Sequence, residues 1–186
     1  MIRLFIAVNC NDATKKLLLS VQDKIKAQSL KGNFSRPENL HLTLAFLGET
    51  REEQVPAICA AIQTALQPPI APFTLNFSQT GCFRHSGKEL WWIGANQTDS
   101  SLDILKNLRQ RITGGLSAAN IAFDDRAFKP HITLGREIRQ GASAMRHAPI
   151  ELPQQEIALA VNRVSLMKSE RINGATVYTE IFGQDL

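Results

Sequence analysis

The tetrapeptide His41-Leu42-Thr43-Leu44 occurs again, in almost the same form, as His131-Ile132-Thr133-Leu134. The two copies stand 90 positions apart in a chain of 186 residues, and a connector containing proline precedes each of them. By chance, two histidines each followed by apolar–Thr–apolar arise in roughly one in a thousand sequences of ordinary globular composition. The repeat therefore predicts a chain of two similar halves, with the motif strands near a common pseudo-twofold axis.

Each motif has the alternation of a half-buried β-strand, in which successive side chains point to opposite faces. His41 and Thr43 should share one face while Leu42 and Leu44 anchor the strand in a core, and the second motif repeats this pattern. Two such strands across a cleft would bring two imidazoles and two hydroxyls together. One imidazole can then act as a base and the other as an acid, while a threonine hydroxyl donates to a phosphoryl oxygen.

This set of groups suits the in-line hydrolysis of a phosphodiester. That reaction needs a proton removed from water on one side of the phosphorus and a proton delivered to the leaving oxygen on the other. A strained cyclic phosphate would need no metal. Two other interpretations remain: each histidine is a hydrogen-bonded structural residue, or His41 and His131 form a metal pair, although Asp, Glu and Cys are missing at ligand spacing.

The rest of the sequence predicts strands that alternate with helices. Strands are expected over 2–8, 39–47, 73–77, 90–94, 157–168 and 175–182 and from 132 onward, and helices over 12–28, 52–66 and 101–119. The expected connections are a polar segment over 32–38, a turn over 81–88 and an Asn173-Gly174 turn, with Asn11 or Asp12 as first helix cap and a break in the third helix at Gly114-Gly115. No linker divides the chain, so we expect a single domain over 1–186 made of two lobes, one carrying 41–44 and the other 131–134.

Composition indicates an ordinary soluble globular protein, with 44% hydrophobic and 20% charged residues. No run approaches the roughly 20 apolar residues of a membrane span, and the N-terminus lacks the pattern of a signal peptide. The chain has three cysteines, an odd number, and they are far apart: Cys10, Cys59 and Cys82. This pattern argues against a zinc cluster or a disulfide framework and predicts that the protein is located in the reducing cytoplasm. The net charge of +4 permits a polyanionic substrate, but no polybasic run indicates a duplex-binding surface.

Four stretches resemble the 2H phosphoesterase superfamily, and within it the bacterial and archaeal RNA 2′,3′-cyclic phosphodiesterases, also called 2′-5′ RNA ligases. They are Arg3-Leu4-Phe5-Ile6-Ala7, residues 38–49, Leu90-Trp91-Trp92-Ile93-Gly94 and residues 128–136. The likeness spans nearly the whole chain. It implies a bilobal α+β fold, in which two antiparallel sheets flank a central cleft, helices lie outside, and each lobe supplies one motif.

The resemblance also implies a reaction, the hydrolysis of an RNA 2′,3′-cyclic phosphate to a 2′-phosphomonoester. It assigns His41 as the proton donor to the departing 3′ oxygen and His131 as the proton acceptor that activates water; the residues alone do not choose between these roles. The reverse reaction would join RNA ends through a 2′-5′ linkage without ATP, and no nucleotide-binding loop is present. We expect no cofactor and no metal, RNA ends with tRNA fragments among them as partners, no membrane, and a monomer that forms its own cleft.

Thr43, Thr133 and Arg136 are the predicted phosphate-binding residues. Arg136 lies five positions after His131, so strict alternation places it on the opposite face of the strand. A bulge or strand end at Gly135 would return it to the cleft, where it would contact phosphate or RNA; otherwise it is a surface arginine.

Phe83, in the predicted 81–88 turn, is the candidate for stacking on a terminal base, since aromatic stacking on single-stranded ends tolerates any sequence. Trp91 and Trp92 are adjacent and must face opposite sides of their strand, so only one of them is plainly a core residue. Phe128 is expected to pack under the second motif. The histidines outside the motifs are expected to be solvated: His85 and His147.

Three rival functions use the same residues differently. The same histidines can act on a 2′-5′ oligonucleotide or a nucleotide cyclic phosphate. An RNA-end-binding module would bind with histidines that are not catalytic. A metallophosphatase would lose its activity in EDTA.

Overall fold

The computed structural model describes residues 1–86, 88–140 and 150–186. Within those ranges the chain forms nine strands and three α-helices, with short 3-10 helices before β3 and before α2. The strands are β1 Ile2–Asn9, β2 Ser29–Phe34, β3 His41–Thr50, β4 Phe73–His85, β5 Lys88–Ala95, β6 His131–Gln140, β7 Ile157–Val161, β8 Arg163–Ile172 and β9 Ala175–Asp185. The helices are α1 Asp12–Ala27, α2 Val55–Ala65 and α3 Ser101–Ala118.

The strands form one antiparallel sheet in the order β7-β4-β5-β6-β3-β1-β8-β9, with β2 paired to β6 off this path. The order is symmetric about its centre, because β3 followed by β1, β8 and β9 mirrors β6 followed by β5, β4 and β7. Within the described residues, the register between β3 and β6 consists of one residue pair, Leu42 opposite Ile132, which hold the same position in their motifs. The two-lobed α+β prediction is confirmed, and the two expected sheets are the halves of this one sheet.

The hydrophobic core lies on one face of the sheet, beneath the helices. Leu42, Leu44, Ile132 and Leu134 are at most 2% exposed and belong to one cluster with aliphatic side chains of all three helices. Burying such a side chain stabilises the fold by about 1.5–3 kcal/mol, so the alternate residues of both motifs hold the strands in place. The other face of the sheet carries the histidines and is therefore free to form a cleft.

The first helix begins as the sequence predicts. Asn11 is its N-cap, and the Asn11 Oδ1 accepts a hydrogen bond from the Thr14 backbone nitrogen at 2.9 Å.

Among the residues that the structure describes, no helix combines the length and apolar character that crossing a membrane requires.

The predicted turn over 81–88 is wrong. β4 runs to His85 and β5 begins at Lys88, and the two strands stay paired to their ends. Gly81 does not end β4; it lies under the indole of Trp92, where a Cβ atom would collide with the ring. Glycine is needed there for the close approach of an aromatic side chain and not for a turn.

Three other boundaries differ from the prediction. The strand expected over 157–168 is two strands, because β7 pairs with β4 in one half and β8 pairs with β1 and β9 in the other. α3 continues through Gly115, which packs against Ala61 of α2 so closely that a Cβ would lie 3.2 Å from the Ala61 Cβ. The connector expected over 32–38 contains the end of β2.

The turn between β8 and β9 is as predicted. Asn173 and Gly174 have φ values of 50° and 78°, and Ile172 pairs with Ala175 across them. Positive φ at both central residues is the two-residue hairpin turn that Asn-Gly favours. The predictions for the His85 side chain and for His147 lie outside the described residues.

Candidate active site

The two motifs lie next to each other on the central strands of the sheet. Because β3 and β6 are antiparallel and Leu42 faces Ile132, His41 comes opposite Thr133 and Thr43 opposite His131. All four polar side chains are half-buried and share the face away from the core. One cleft face therefore carries two imidazoles and two hydroxyls.

Both histidines are oriented by the backbone two residues earlier. The His41 Nδ1 lies 2.7 Å from the carbonyl oxygen of Asn39, and the His131 Nδ1 lies 2.6 Å from that of Lys129. A carbonyl only accepts, so Nδ1 carries a proton and donates it in each ring. Nε2 is consequently the nitrogen that gains or loses a proton, and in His41 it lies 3.1 Å from the Thr43 hydroxyl.

Burial lowers the pKa of both imidazoles. It brings the pKa of His41 to about 4, from an ordinary value of 6.5; the hydrogen bond to the Asn39 carbonyl opposes the change, and the charges of Arg136 and His131 add to it. The pKa of His131 is also lowered, by burial first and by the charge of Arg136 as well. At neutral pH the free protein therefore holds two neutral rings, and a bound anion favours protonation of either one.

Arg136 is close enough to both histidines for its charge to lower the pKa of each. Against β5, Thr133 pairs with Trp92 and Gly135 with Trp91, so β6 has one extra residue between them. This bulge interrupts the strict alternation that would have turned Arg136 to the core face. The guanidinium is exposed and extends the positive potential of the cleft.

Aromatic rings flank each histidine. Beside His131, the ring centroids of Phe83 and Trp92 lie 5.8 and 6.2 Å from the imidazole. Beside His41, those of Phe5 and Tyr178 lie 4.7 and 5.3 Å away. Sequence reasoning missed the second pair as site residues.

The missed pair could not be recognised locally. Phe5 lies in the predicted first strand among aliphatic residues, and Tyr178 is 137 positions from His41 in the chain. The two meet only because β8 lies between β1 and β9. The one available signal was the alternation of side chains along β1, which places Phe5 on the opposite face from Leu4 and Ile6.

A cavity of about 280 Å³ opens beside His131. Its lining combines aromatic rings, two side-chain amides and two lysines: Gln79, Phe83, Trp92, Gly94, Gln97, Leu102, Lys106, Phe128, Lys129, Pro130 and His131. The Lys129 ammonium lies 5.7 Å from the centroid of the Phe83 ring. Phe128 borders this cavity and also packs on the core, with the Arg109 guanidinium 4.8 Å from its centroid.

The two tryptophans face opposite sides, as alternation requires. Trp91 is 4% exposed and donates from Nε1 to Glu89 at 2.8 Å. Trp92 forms a wall of the cavity. Phe83 is 39% exposed on β4, so it is a strand residue at the cavity rim and not a turn residue.

A metal centre built from protein side chains would need several ligands close together. Within residues 1–86, 88–140 and 150–186, no group of three or more His, Cys, Asp or Glu residues is arranged to hold a metal ion. The three cysteines, all in the described ranges, are free thiols.

Comparison with known proteins places this geometry in a family. Residues 18–173 match the model of the 2′-5′ RNA ligase superfamily. The RNA 2′,3′-cyclic phosphodiesterase of Thermus thermophilus is 32% identical over 180 residues, covering 95% of this chain and 86% of that protein. The protein of the same name from Escherichia coli is 33% identical over 146 residues, 77% of this chain and 74% of that one. A crystal structure of a Thermus thermophilus protein superposes with a TM-score of 0.74 at 32% identity, covering 99% of this chain and 97% of the other. The chain thus belongs to the 2′-5′ RNA ligase superfamily.

Proposed function

We propose that this protein is an RNA 2′,3′-cyclic phosphodiesterase that opens the cyclic phosphate to a 2′-phosphomonoester. One observation carries the proposal: two imidazoles on paired central strands have Nδ1 bound to a backbone carbonyl, so that both Nε2 atoms are available to one cleft. Relatives of that name at 32% and 33% identity support the substrate.

In the proposed reaction His131 and His41 act on opposite sides of the phosphorus. His131 Nε2 takes a proton from water as the water oxygen bonds to phosphorus. His41 Nε2 gives a proton to the 3′ oxygen as the P–O3′ bond breaks, which leaves the phosphate on the 2′ oxygen. The assignment of donor and acceptor follows the family resemblance, and the nearly symmetric surroundings of the two rings are compatible with either order.

The charge of the phosphate is stabilised by three further groups. The Thr43 hydroxyl donates to the neutral His41 Nε2 in the free protein, and it can donate to a non-bridging oxygen once that nitrogen is protonated. The Thr133 hydroxyl lies opposite His41 in the strand register and can donate to a second non-bridging oxygen. The Arg136 guanidinium offers several N–H donors in a fixed fork that suits a phosphate. These groups act most strongly as negative charge builds up in the transition state.

The cavity beside His131 is the proposed base site. Phe83 and Trp92 have ring centroids 5.4 Å apart and present aromatic surface on which a terminal base can stack. Lys106 and Lys129 line the same cavity and can contact the RNA backbone. Stacking and charge do not depend on the base, so we expect RNA ends of many sequences, tRNA fragments among them, to be accepted.

The finer parts of the proposal follow from the same cleft. The protein works as a monomer without metal or cofactor, and free thiols are compatible with the cytoplasm. The reverse reaction uses the energy stored in the cyclic phosphate and gives a 2′-5′ linkage without ATP.

The test is incubation with an RNA that ends in a 2′,3′-cyclic phosphate, in the presence of EDTA. We expect the wild type to form only the 2′-phosphate, and His41→Ala and His131→Ala to be slower by about 10²–10⁴-fold, the usual contribution of a general acid or base. Thermal denaturation of both variants checks that they are folded. Failure of folded wild type to convert the RNA would refute the proposal.

The rivals give different results in the same assay. A metallophosphatase loses activity in EDTA. An RNA-end-binding module retains RNA binding in both histidine variants and shows no turnover. An enzyme for small nucleotides prefers a nucleoside 2′,3′-cyclic phosphate or a 2′-5′ dinucleotide over the RNA.

A further inference from the structure

Asn9 stands at the end of β1, directly opposite His41 on β3. Its side chain is exposed on the cleft face, the face that Phe5 and Ala7 of the same strand share. The Asn9 Nδ2 donates to the Ser165 hydroxyl at 3.2 Å and approaches the Met167 sulfur at 3.6 Å. Two residues of β8 therefore hold the Asn9 amide on the cleft face, and Asn9 is the strand neighbour of the proposed catalytic residue His41.

Behind Asn9 a chain of hydrogen bonds leads to an ion pair. The Ser165 hydroxyl is bonded to Glu180 Oε2, and Ser165 is 1% exposed. Glu180 is bound in turn by Arg163, from Nη2 at 3.0 Å and from Nε at 3.4 Å. Arg163 also donates to Asp185 at 2.7 Å.

The protons in this chain determine which way the amide of Asn9 points. The hydrogen bonds from Arg163 lower the pKa of Glu180, so its carboxylate only accepts. The single proton of the Ser165 hydroxyl is thus directed to Glu180, and the serine oxygen must accept from Asn9. Asn9 has to present its NH₂ group to Ser165, which turns its carbonyl oxygen away.

The Asn9 Oδ1 is left as an oriented acceptor. In the described part of the chain it receives no hydrogen bond, and its residue lies beside His41. An acceptor in that position selects a donor on the ligand. A 2′,3′-cyclic phosphate has no hydrogen on its 3′ oxygen, but the 2′-phosphate product has a 3′-hydroxyl.

We propose that Asn9 Oδ1 accepts a hydrogen bond from the ribose 3′-hydroxyl that forms when His41 protonates the leaving oxygen. The inference rests on the proposed function and adds a product-binding group to that site. The proton moves from His41 Nε2 to O3′ as the P–O3′ bond breaks, and the new hydroxyl then donates to the amide oxygen. Ser165 and Glu180 are positioning residues that keep the acceptor turned to the cleft.

This contact favours one outcome of the reaction. It is gained only as the 3′-hydroxyl appears, so it stabilises the opened product and not the cyclic substrate. A hydroxyl that donates to Asn9 has to give up this hydrogen bond before the ring can close again, so the contact opposes closure. Breaking the other ester bond would leave a 2′-hydroxyl, whose oxygen is not the one that His41 protonates.

The test compares two ligands and four proteins. The ligands are a nucleoside 2′-monophosphate and its 3′-deoxy analogue, and the proteins are wild type, Asn9→Ala, Ser165→Ala and Ser169→Ala. Ser169 is the matched control, since it lies four residues further along the same strand, about 13 Å away. Dissociation constants are measured by calorimetry, and hydrolysis of the cyclic-phosphate RNA in EDTA is measured in parallel.

We expect wild type and Ser169→Ala to bind the 3′-hydroxyl ligand about two- to tenfold more tightly than the 3′-deoxy ligand, the usual effect of one neutral hydrogen bond. Asn9→Ala should bind both ligands equally, and Ser165→Ala should lose most of the preference because its amide is free to turn. A merely structural role would weaken both ligands together and leave their ratio unchanged.

Two results would overturn the inference while leaving the proposed function intact. One is equal binding of the two ligands by a wild type that hydrolyses the RNA. The other is an unchanged preference in Asn9→Ala. A wild type that does not hydrolyse the RNA overturns the proposed function, and this inference with it.

Discussion

The protonation of His41 provides a direct test of the electrostatics of the cleft. Burial lowers its pKa to about 4 in the free protein. At pH 7 only about one molecule in a thousand then carries a protonated His41. His41 is the proposed proton donor and must be protonated when the leaving oxygen departs, so in that role it needs the substrate to supply the missing stabilisation.

The negative charge of a bound phosphate is sufficient to stabilise the protonated form of His41. A single negative charge about 5 Å from the imidazolium, at an effective dielectric constant of about 20, attracts it by roughly 3 kcal/mol. That energy raises the protonated fraction of His41 by more than a hundredfold. One imidazole is proposed to act protonated and the other neutral, so we expect bell-shaped pH profiles. The profile of kcat should extend to higher pH than that of kcat/KM, since kcat reports the complex and kcat/KM the free enzyme.

The assay is an NMR titration of the histidine ring protons, free and saturated with a nucleoside 2′-monophosphate. The His41→Gln variant assigns the signal. The free protein should titrate at about pH 4 for His41, and the ligand should move the midpoint upward. Arg136→Gln should raise the midpoints of His41 and His131 in the free protein, whereas Arg139→Gln, on the same strand, should change neither. A midpoint near 6.5 in the free protein, or one that the ligand does not move, would refute the reasoning.

Three further results are expected from single changes. In the unfolded chain His41 takes up a proton as pH falls through 6.5, whereas in the folded protein it does so only at about pH 4. Between pH 7 and 5 the unfolding free energy of the wild type, measured by urea denaturation, should therefore fall by about 2 kcal/mol more than that of His41→Gln. Parallel plots of unfolding free energy against pH for the two proteins would contradict this. Phe83→Ala should raise KM for cyclic-phosphate RNA about five- to hundredfold with little change in kcat, as lost stacking predicts, whereas Phe46→Ala, with similar exposure outside the cavity, should leave both unchanged. Gly81→Ala should destabilise the fold by about 1–3 kcal/mol because the added Cβ meets the indole of Trp92. Gly114→Ala has open space around the added methyl group and should stabilise α3 by up to about 1 kcal/mol. Equal melting temperatures for the two variants would contradict the packing argument.

Much of the architecture could be predicted because its signals are local. The Asn11 cap and the Asn173-Gly174 turn are short-range patterns, each satisfied within a few residues. The three helices were located to within a few residues because their apolar faces repeat every three to four positions. Two of the errors occurred at Gly81 and Gly115, where a glycine is required by a distant side chain or by a neighbouring helix. In a sequence, a glycine required for such close packing cannot be distinguished from one that forms a turn or ends a helix.

The paired motifs by themselves determined that two histidines and two threonines lie on strand faces opposite two pairs of core aliphatics, because side-chain alternation is a property of each strand alone. Only the tertiary structure decided that the two strands are neighbours, with Leu42 facing Ile132. It also decided that a bulge brings Arg136 to the cleft and that Ser165 orients Asn9 beside His41. Strand order, register and bulges are set by backbone hydrogen bonds and packing between segments far apart in the chain, so no local pattern encodes them.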